Sequence, residues 1–528
     1  MPAIMAAAPS PGLLSIPVEL LHRIFNHLDP EDVGPARLTC GLLAQVGDEH
    51  MLEEVVTVYK RDRLQRLIDI AQHSVFSRHV KSFYWQAQQF GSFVGFDEWD
   101  RERRDVQLAE ETRNERWLEI REIAEAAQAD QAAEFAEMND FAQPTETVVP
   151  GESGRHERAK EVVEKWRIRK QGQHSDEAIQ KAFSVFKEVS SDEAQIRREG
   201  FDTHCLTQLF HPCSKLDTVT LSLGRGTKGR VNMLDFAFKD CMYTPSSDKG
   251  DMIGVDQFFS LVEALHKSGR SLKSLTVTDV SPRIVPPDMF YDSSHIPSVM
   301  RSLYEFRLGL QITEEDVADV DELFDEFEEY SGIQAVQAWL TEAQNLRVLK
   351  LNMPTLHGDF GLEVFARIEN VFGSLTWPKL RELGLGQFQA TEDSLVDLLL
   401  RHKNSLRRLS MSHFDLTSGD WTSFFTRMSG KLHKLRKAKL RYIFSEMGQV
   451  IHEFDIPGFE DDIQHPVRDA FENMLLHGGD LPDMETLWEP PIHQGEHGQT
   501  GREDEEDAGY TTDGSVISYS SDEFDMIV

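Results

Sequence analysis

Cysteine is nearly missing from these 528 residues, with Cys40, Cys205, Cys213 and Cys241 the whole supply. Four thiols do not make a disulfide framework for a chain of this length, so a reducing compartment, cytoplasmic and/or nuclear, is expected. Positive charge is short as well: 55 Lys and Arg face 90 Asp and Glu, for a net charge of −35. A general binder of nucleic acid or of an anionic membrane needs clustered cations for phosphate, so neither is expected as a partner. No apolar run approaches the ~20 residues that span a bilayer. Met1 to Leu14 carries no charge, is broken by proline and lacks a basic leader, so residues 1–13 read as a disordered arm and not as a secretory signal.

What the chain does have is an ordered apolar pattern near its start. Pro17 suits a first helical position because it has no N–H to leave unpaired, and Leu20, Leu21, Ile24 and Leu28 follow at helical spacing. Asp29 is an N-cap candidate and Pro30 a second first-turn proline. The spacing therefore predicts a second helix carrying Val33, Ala36, Leu38 and Leu42 inward, and a helical hairpin over residues 14–58. So small a unit has little core of its own, and its apolar stripe is a liability unless something covers it. A partner protein is one cover. The hairpin's own chain is the other, since periodicity does not say what lies on a stripe.

The order Ile16-Pro17-x-Glu19-Leu20-Leu21, Ile24, Leu28, Asp32-Val33, Arg37-Leu38 and Cys40 resembles an F-box, with Ile16 for the usual Leu and Leu43 where an aromatic is common. The resemblance implies docking onto the Skp-type linker subunit of a cullin-RING ubiquitin ligase, with the cullin reached through that linker. The docking residues it implies are Ile16, Pro17, Leu20, Leu21, Ile24, Leu28, Val33 and Leu38. The order of a strand at Leu52 to Val58, a helix at Arg61 to Ala71 with Leu64 and Leu67 on one face, and a strand at Val80 to Trp85 is similar to F-box proteins of filamentous fungi, and residues 59–96 read as the start of the repeat body.

Residues 97–200 are a charged helical insertion. Between Asp97 and Met138 there are 14 acidic and 6 basic residues, with Trp117, Ile120, Ile123, Ala124 and Ala127 at helical spacing. Two further helices are expected, Ala159 to Arg169 and Ser175 to Val189, the second capped by Ser175 with Ile179, Phe183 and Phe186 inward.

The body, residues 201–458, repeats Leu-x-x-apolar-x-apolar at Leu216, Leu272, Leu303, Leu346, Leu380, Leu406 and Leu435, at intervals of 56, 31, 43, 34, 26 and 29 residues. Helical stretches such as Gln257 to His266, Thr391 to Arg401 and Trp421 to Met428 lie between. One strand and one helix cannot bury their apolar faces alone, so such units stack. The pattern resembles irregular leucine-rich repeats. The fold class expected is therefore α/β: an N-terminal helical F-box, an irregular leucine-rich-repeat-like solenoid, a helical insertion and a disordered acidic tail. An α/β domain with short parallel strands is the alternative. Residues 459–481 read as a C-terminal helical cap, and 482–528 as the tail, too polar to offset its ordering entropy. Ser518, Ser520 and Ser521 precede Asp522-Glu523 there and are phosphorylation candidates.

Strand residues flanking the inward leucines give a candidate substrate face of Arg307, Lys350, Arg408, Lys437, Lys439 and Arg441, with Glu305 and Glu382 among them. Arg401 to Arg441 holds 11 basic and 2 acidic residues, which suits an acidic or phosphorylated protein substrate, or the chain's own tail in competition with it. The Gly224-Arg-Gly226-Thr-Lys-Gly229 turn imitates a dinucleotide loop but lacks the helix-then-strand context, so an inter-repeat turn is expected and no cofactor. His204, Cys205, His211 and Cys213 lack zinc-knuckle spacing, and Asp316, Asp319, Asp321 and Asp325 lack a calcium loop's Gly and terminal Glu. No metal and no catalytic residue is assigned. The chain reads as a non-enzymatic substrate adaptor, with a repeat scaffold that transfers no ubiquitin as the alternative.

Overall fold

The Leu-x-x-apolar-x-apolar rhythm puts its last two apolar residues on one side of an extended strand and the residues between them on the other. In the computed structural model these runs are strands, and each lies beside the next in chain order. The structure describes residues 16–90, 95–104, 175–224, 233–242, 254–285, 293–311, 332–364, 366–453 and 466–479, with 26, 29, 102, 359, 360 and 448 excepted. The strands are β1 (Glu54–Val58), β2 (Ser82–Gln86), β3 (Thr218–Ser222), β4 (Ser274–Val280), β5 (Glu305–Leu310), β6 (Val348–Asn352), β7 (Thr355–Gly358), β8 (Gly361–Val364), β9 (Glu382–Thr391), β10 (Arg408–Ser418), β11 (Lys437–Glu446) and β12 (Gln449–Glu453). One ten-stranded sheet runs β1-β2-β3-β4-β5-β6-β9-β10-β11-β12, parallel except for β12, and β7 with β8 forms a separate antiparallel ribbon.

The seven motifs fall on β3 to β6 and β9 to β11, and their apolar residues share one continuous core. Two more strands precede them. Val80/Phe83/Trp85 on β2 has the same rhythm with valine in the leucine's place, and Leu52/Val55/Thr57 on β1 has it with threonine last. Register is kept across the sheet: Glu54, Ser82, Thr218, Ser274, Glu305, Val348, Glu382, Arg408 and Lys437 align strand to strand.

Helices between the strands bury their apolar faces in that core. Val255–Ser268, Glu392–Arg401 and Trp421–Met428 match the expected stretches within two residues at each end. The last two start on side-chain caps, Thr391 accepting from the Ser394 N–H at 3.2 Å and Asp420 from the Ser423 N–H at 2.6 Å. Pro466–His477 closes the end, with Val467, Phe471, Met474 and Leu475 in the core.

The helix capped by Ser175 runs past Val189 to Glu199 and stops where Gly200 turns left-handed at φ 59°. Ser190 and Ser191 do not interrupt it. Phe186 is buried, and Ile179 and Phe183 pack against the same aromatic cluster of Phe90, Trp99 and Phe238. The helices expected around Trp117 and over 159–169, the arm 1–13, the tail 482–528, Gly226 and Gly229, and the aspartates from Asp316 to Asp325 lie outside the described residues.

Glu193 on this helix is buried, with one carboxylate oxygen accepting the Phe90 N–H at 3.2 Å. Burial is the largest influence and pushes its pKa well above the ordinary carboxylate value, outweighing that hydrogen bond. The folded state therefore takes up a proton that the unfolded chain releases. The resulting stability is full below the unfolded pKa and is lost as pH rises toward the folded one, at about 1.4 kcal/mol per pH unit. Glu193→Gln, already neutral, is expected to flatten that slope; parallel denaturation midpoints of the two proteins across the acid-to-neutral range would refute it.

The N-terminal unit has three helices, α1 (Val18–Phe25), α2 (Pro30–Arg37) and α3 (Gly41–Asp48), where two were expected. The chain breaks helix at Leu38 to Cys40, with Cys40 in an extended conformation ahead of α3. Leu21, Phe25, Val33, Leu43 and Val46 form its small core.

Candidate docking surface and basic edge

The helical unit sorts its apolar residues by face. Leu21 and Val33 lie inside, with Ile16 and Leu28 half-buried against them, so these four hold the unit together. Pro17, Leu20, Ile24 and Leu38 lie outside, together with Val18; Leu20 is 46%, Ile24 45% and Leu38 90% exposed. Leu38, expected to point inward with α2, points out because α2 ends at Arg37. No later described segment seals this ridge.

The unit joins the body on its other flank. His79 meets Glu49 at 3.3 Å and Lys81 meets Glu53 at 2.6 Å, while inside the unit His22 Nδ1 lies 3.0 Å from His50 Nε2. Burial first, and then His22, push the His50 pKa down.

On the polar side of the sheet the expected substrate face divides. Lys350 is 1% exposed and its ammonium sits 3.0 Å from the Glu382 carboxylate, which Arg408 also grips. Arg441 is buried as well. Arg307, half-buried, pairs with Glu305 at 2.6 Å. Lys350 and Arg441 are thus enclosed in the sheet, whereas Arg408 and Lys437 are exposed and Lys439 half-exposed.

The more open cations sit one residue ahead of the strands. Glu53, Lys81, Asp217, Lys273, Tyr304, Arg347, Arg381, Arg407 and Arg436 form an unbroken backbone ladder, each N–H donating to the carbonyl of the one before at 2.7–3.0 Å. Over the first six rungs neighbours satisfy one another: Lys81 with Glu53, Lys273 with Asp217 at 2.7 Å, and the Arg347 guanidinium over the Tyr304 ring at 4.8 Å. The last three rungs are arginines, with Arg381 and Arg436 exposed and Arg407 half-exposed, and none has a carboxylate partner among the described residues. Their signal was a doublet: Leu346-Arg347, Leu380-Arg381, Leu406-Arg407 and Leu435-Arg436 put Arg straight after the first leucine of the last four motifs.

Cys205 and Cys213 are fully enclosed, and burial pushes their thiols up to about 12 and about 11. They pack as small core residues. Among the described residues no helix is long and apolar enough to cross a membrane, and no group of three or more His, Cys, Asp or Glu is placed to hold a metal ion.

A family model described as F-box-like matches residues 13–52, which covers α1, α2 and α3. No curated protein matches the chain. The N-terminal helical unit is F-box-like, and it leads into a mixed α/β body built on a parallel sheet.

Proposed function

We propose that this chain is the substrate-recognition adaptor of an SCF-type cullin-RING ubiquitin ligase. The F-box-like unit docks the Skp-type linker and through it the cullin, and the sheet body, a leucine-rich-repeat-like solenoid, holds a target protein. The chain is not an enzyme and needs no cofactor; it acts in the cytoplasm and/or nucleus by proximity. Two binding surfaces on one polypeptide turn a bimolecular transfer into an effectively intramolecular one.

One observation carries this reading: Leu20, Ile24 and Leu38 stand in solvent on a unit whose interior is already filled by Leu21, Phe25 and Val33. F-box domains commonly bind Skp-type linkers, and open apolar side chains beside a packed core suit such docking. Purified linker subunit is the test. Leu20→Asp with Ile24→Asp is expected to weaken capture by about 2 kcal/mol or more, some thirtyfold, with an unchanged thermal midpoint because both side chains are exposed. Full capture by a folded double variant would show that the linker does not dock on this ridge, and no capture of the unaltered chain would leave a scaffold that does not enter a ligase.

A further inference from the structure

We infer that the sheet edge formed by Arg347, Arg381, Arg407 and Arg436 is a binding site for an extended acidic segment of a partner protein, its run of Asp and Glu carboxylates lying across the strands. The four arginines occupy consecutive rungs of one backbone ladder, joined by N–H to O=C bonds of 2.8, 2.7 and 2.8 Å. Neighbouring parallel strands lie about 4.8 Å apart, so the four rungs span roughly 14 Å, the reach of four to five extended residues. Like charges opposite one another on adjacent strands repel, and an unligated row of three does so twice.

The same ladder shows what the fold does where no ligand is needed. Glu53 answers Lys81, Asp217 answers Lys273, and Tyr304 lies under Arg347. Among the described residues that internal neutralisation stops beyond Arg347, although the backbone geometry continues unchanged. Among the described residues, Glu382 directly after Arg381 is 13% exposed and committed to Lys350 and Arg408, and Glu305 pairs with Arg307. Arginine, not lysine, fills each of the four rungs, and its planar fork binds carboxylate in bidentate fashion. A single-stranded nucleic acid is the less suited polyanion: the ladder carries one aromatic side chain, Tyr304, with the Arg347 guanidinium over its ring, and strand binding needs a series of rings for successive bases to stack on.

Peptide binding rests on the edge alone, and only its meaning as target recognition rests on the adaptor reading. The test therefore uses the full chain without linker subunit. A fluorescein-labelled peptide carrying five consecutive glutamates is titrated by anisotropy beside its glutamine twin, at low and at physiological salt. The acidic peptide is expected to bind, to weaken with salt, and to outbind its twin by about tenfold or more. Arg381→Gln with Arg407→Gln should remove most of that difference at an unchanged melting midpoint, while Lys267→Gln, on a distant helix and paired with Glu263, should not. Equal binding of the two peptides, or of a single-stranded oligonucleotide as tightly as the acidic peptide, would overturn the assignment. So would acidic-peptide binding that emerges only when residues 482–528 are removed, since the chain's own tail would then be the occupant. Failure of linker capture would leave all of these outcomes unchanged.

Discussion

Alanine in place of Glu382 is expected to lower the unfolding free energy by about 3–5 kcal/mol, the scale for stripping one partner from a buried ion pair. Burial alone would raise the Glu382 pKa, but Lys350 and Arg408 hold it below its ordinary value of 4.5. Burial pushes the Lys350 pKa down, Arg307 adds to that, and Glu382 opposes both. Without Glu382 the enclosed ammonium keeps the pull of Glu305 against burial and Arg307, and is driven toward its neutral form. Lys350→Met combined with Glu382→Gln should recover most of the loss, because an apolar side chain of similar volume suits the site. The pH dependence has a fixed sign. A depressed carboxylate contributes fully above its unfolded pKa and loses that contribution as pH falls through the folded value. Urea midpoints of wild type and Glu382→Ala should therefore converge in acid; a gap that is equal in acid and at neutral pH would refute the ion-pair account.

Lys350 also marks where reading the sequence stops. The alternation of β6 assigns it correctly to the polar side of the strand, but exposure on that side depends on which strand comes next. Glu382 is its neighbour only because the β7 and β8 ribbon leaves the sheet and β9 pairs directly with β6. That adjacency is a tertiary fact. By contrast, the seven strands were legible, since each carries the same apolar residues at fixed spacing, and side-chain-capped helices follow β9 and β10. The Arg381, Arg407 and Arg436 rungs were legible too, as a Leu-Arg doublet, yet they lie one residue ahead of the strands, where face alternation directs no attention. Non-glycine residues with positive φ at Gln387, His413 and Tyr442, which bend three neighbouring strands at about the same level, had no local signal at all.

The arginine rungs lie along the sheet edge whose first rung follows the F-box-like unit. The ladder begins at Glu53, five residues past α3, and ends at Arg436 eight rungs later, about 38 Å along the sheet at ordinary strand spacing. If the arginine rungs act as proposed, a segment held on them is kept at a distance from the F-box-like unit that the sheet sets, and not a flexible linker. Such separation determines the geometry of proximity-driven transfer. It also makes the far end of the sheet sensitive to whatever holds the late strands together.

Trp421 is one of the side chains that do so. It is fully enclosed; its ring meets Phe444 at 4.8 Å and Phe424 at 5.4 Å edge-on, and its indole N–H donates to the Ser445 carbonyl at 2.9 Å. Phe388, Phe414 and Phe444 stack beneath it across β9, β10 and β11. Trp421→Ala opens a large apolar cavity and is expected to cost about 3–5 kcal/mol. Trp421→Phe keeps a ring but strands the Ser445 carbonyl, for about 1–3 kcal/mol. Because each strand bonds only to its sheet neighbours, the damage should be local: amides of β9 to β11 should lose hydrogen-exchange protection while those of β1 to β4 keep it. If the arginine rungs act as proposed, Trp421→Ala should also weaken the acidic peptide while leaving linker capture intact. Uniform loss of protection from β1 to β11 would show instead that the sheet unfolds as one unit, and the two surfaces could then not be separated by any core substitution.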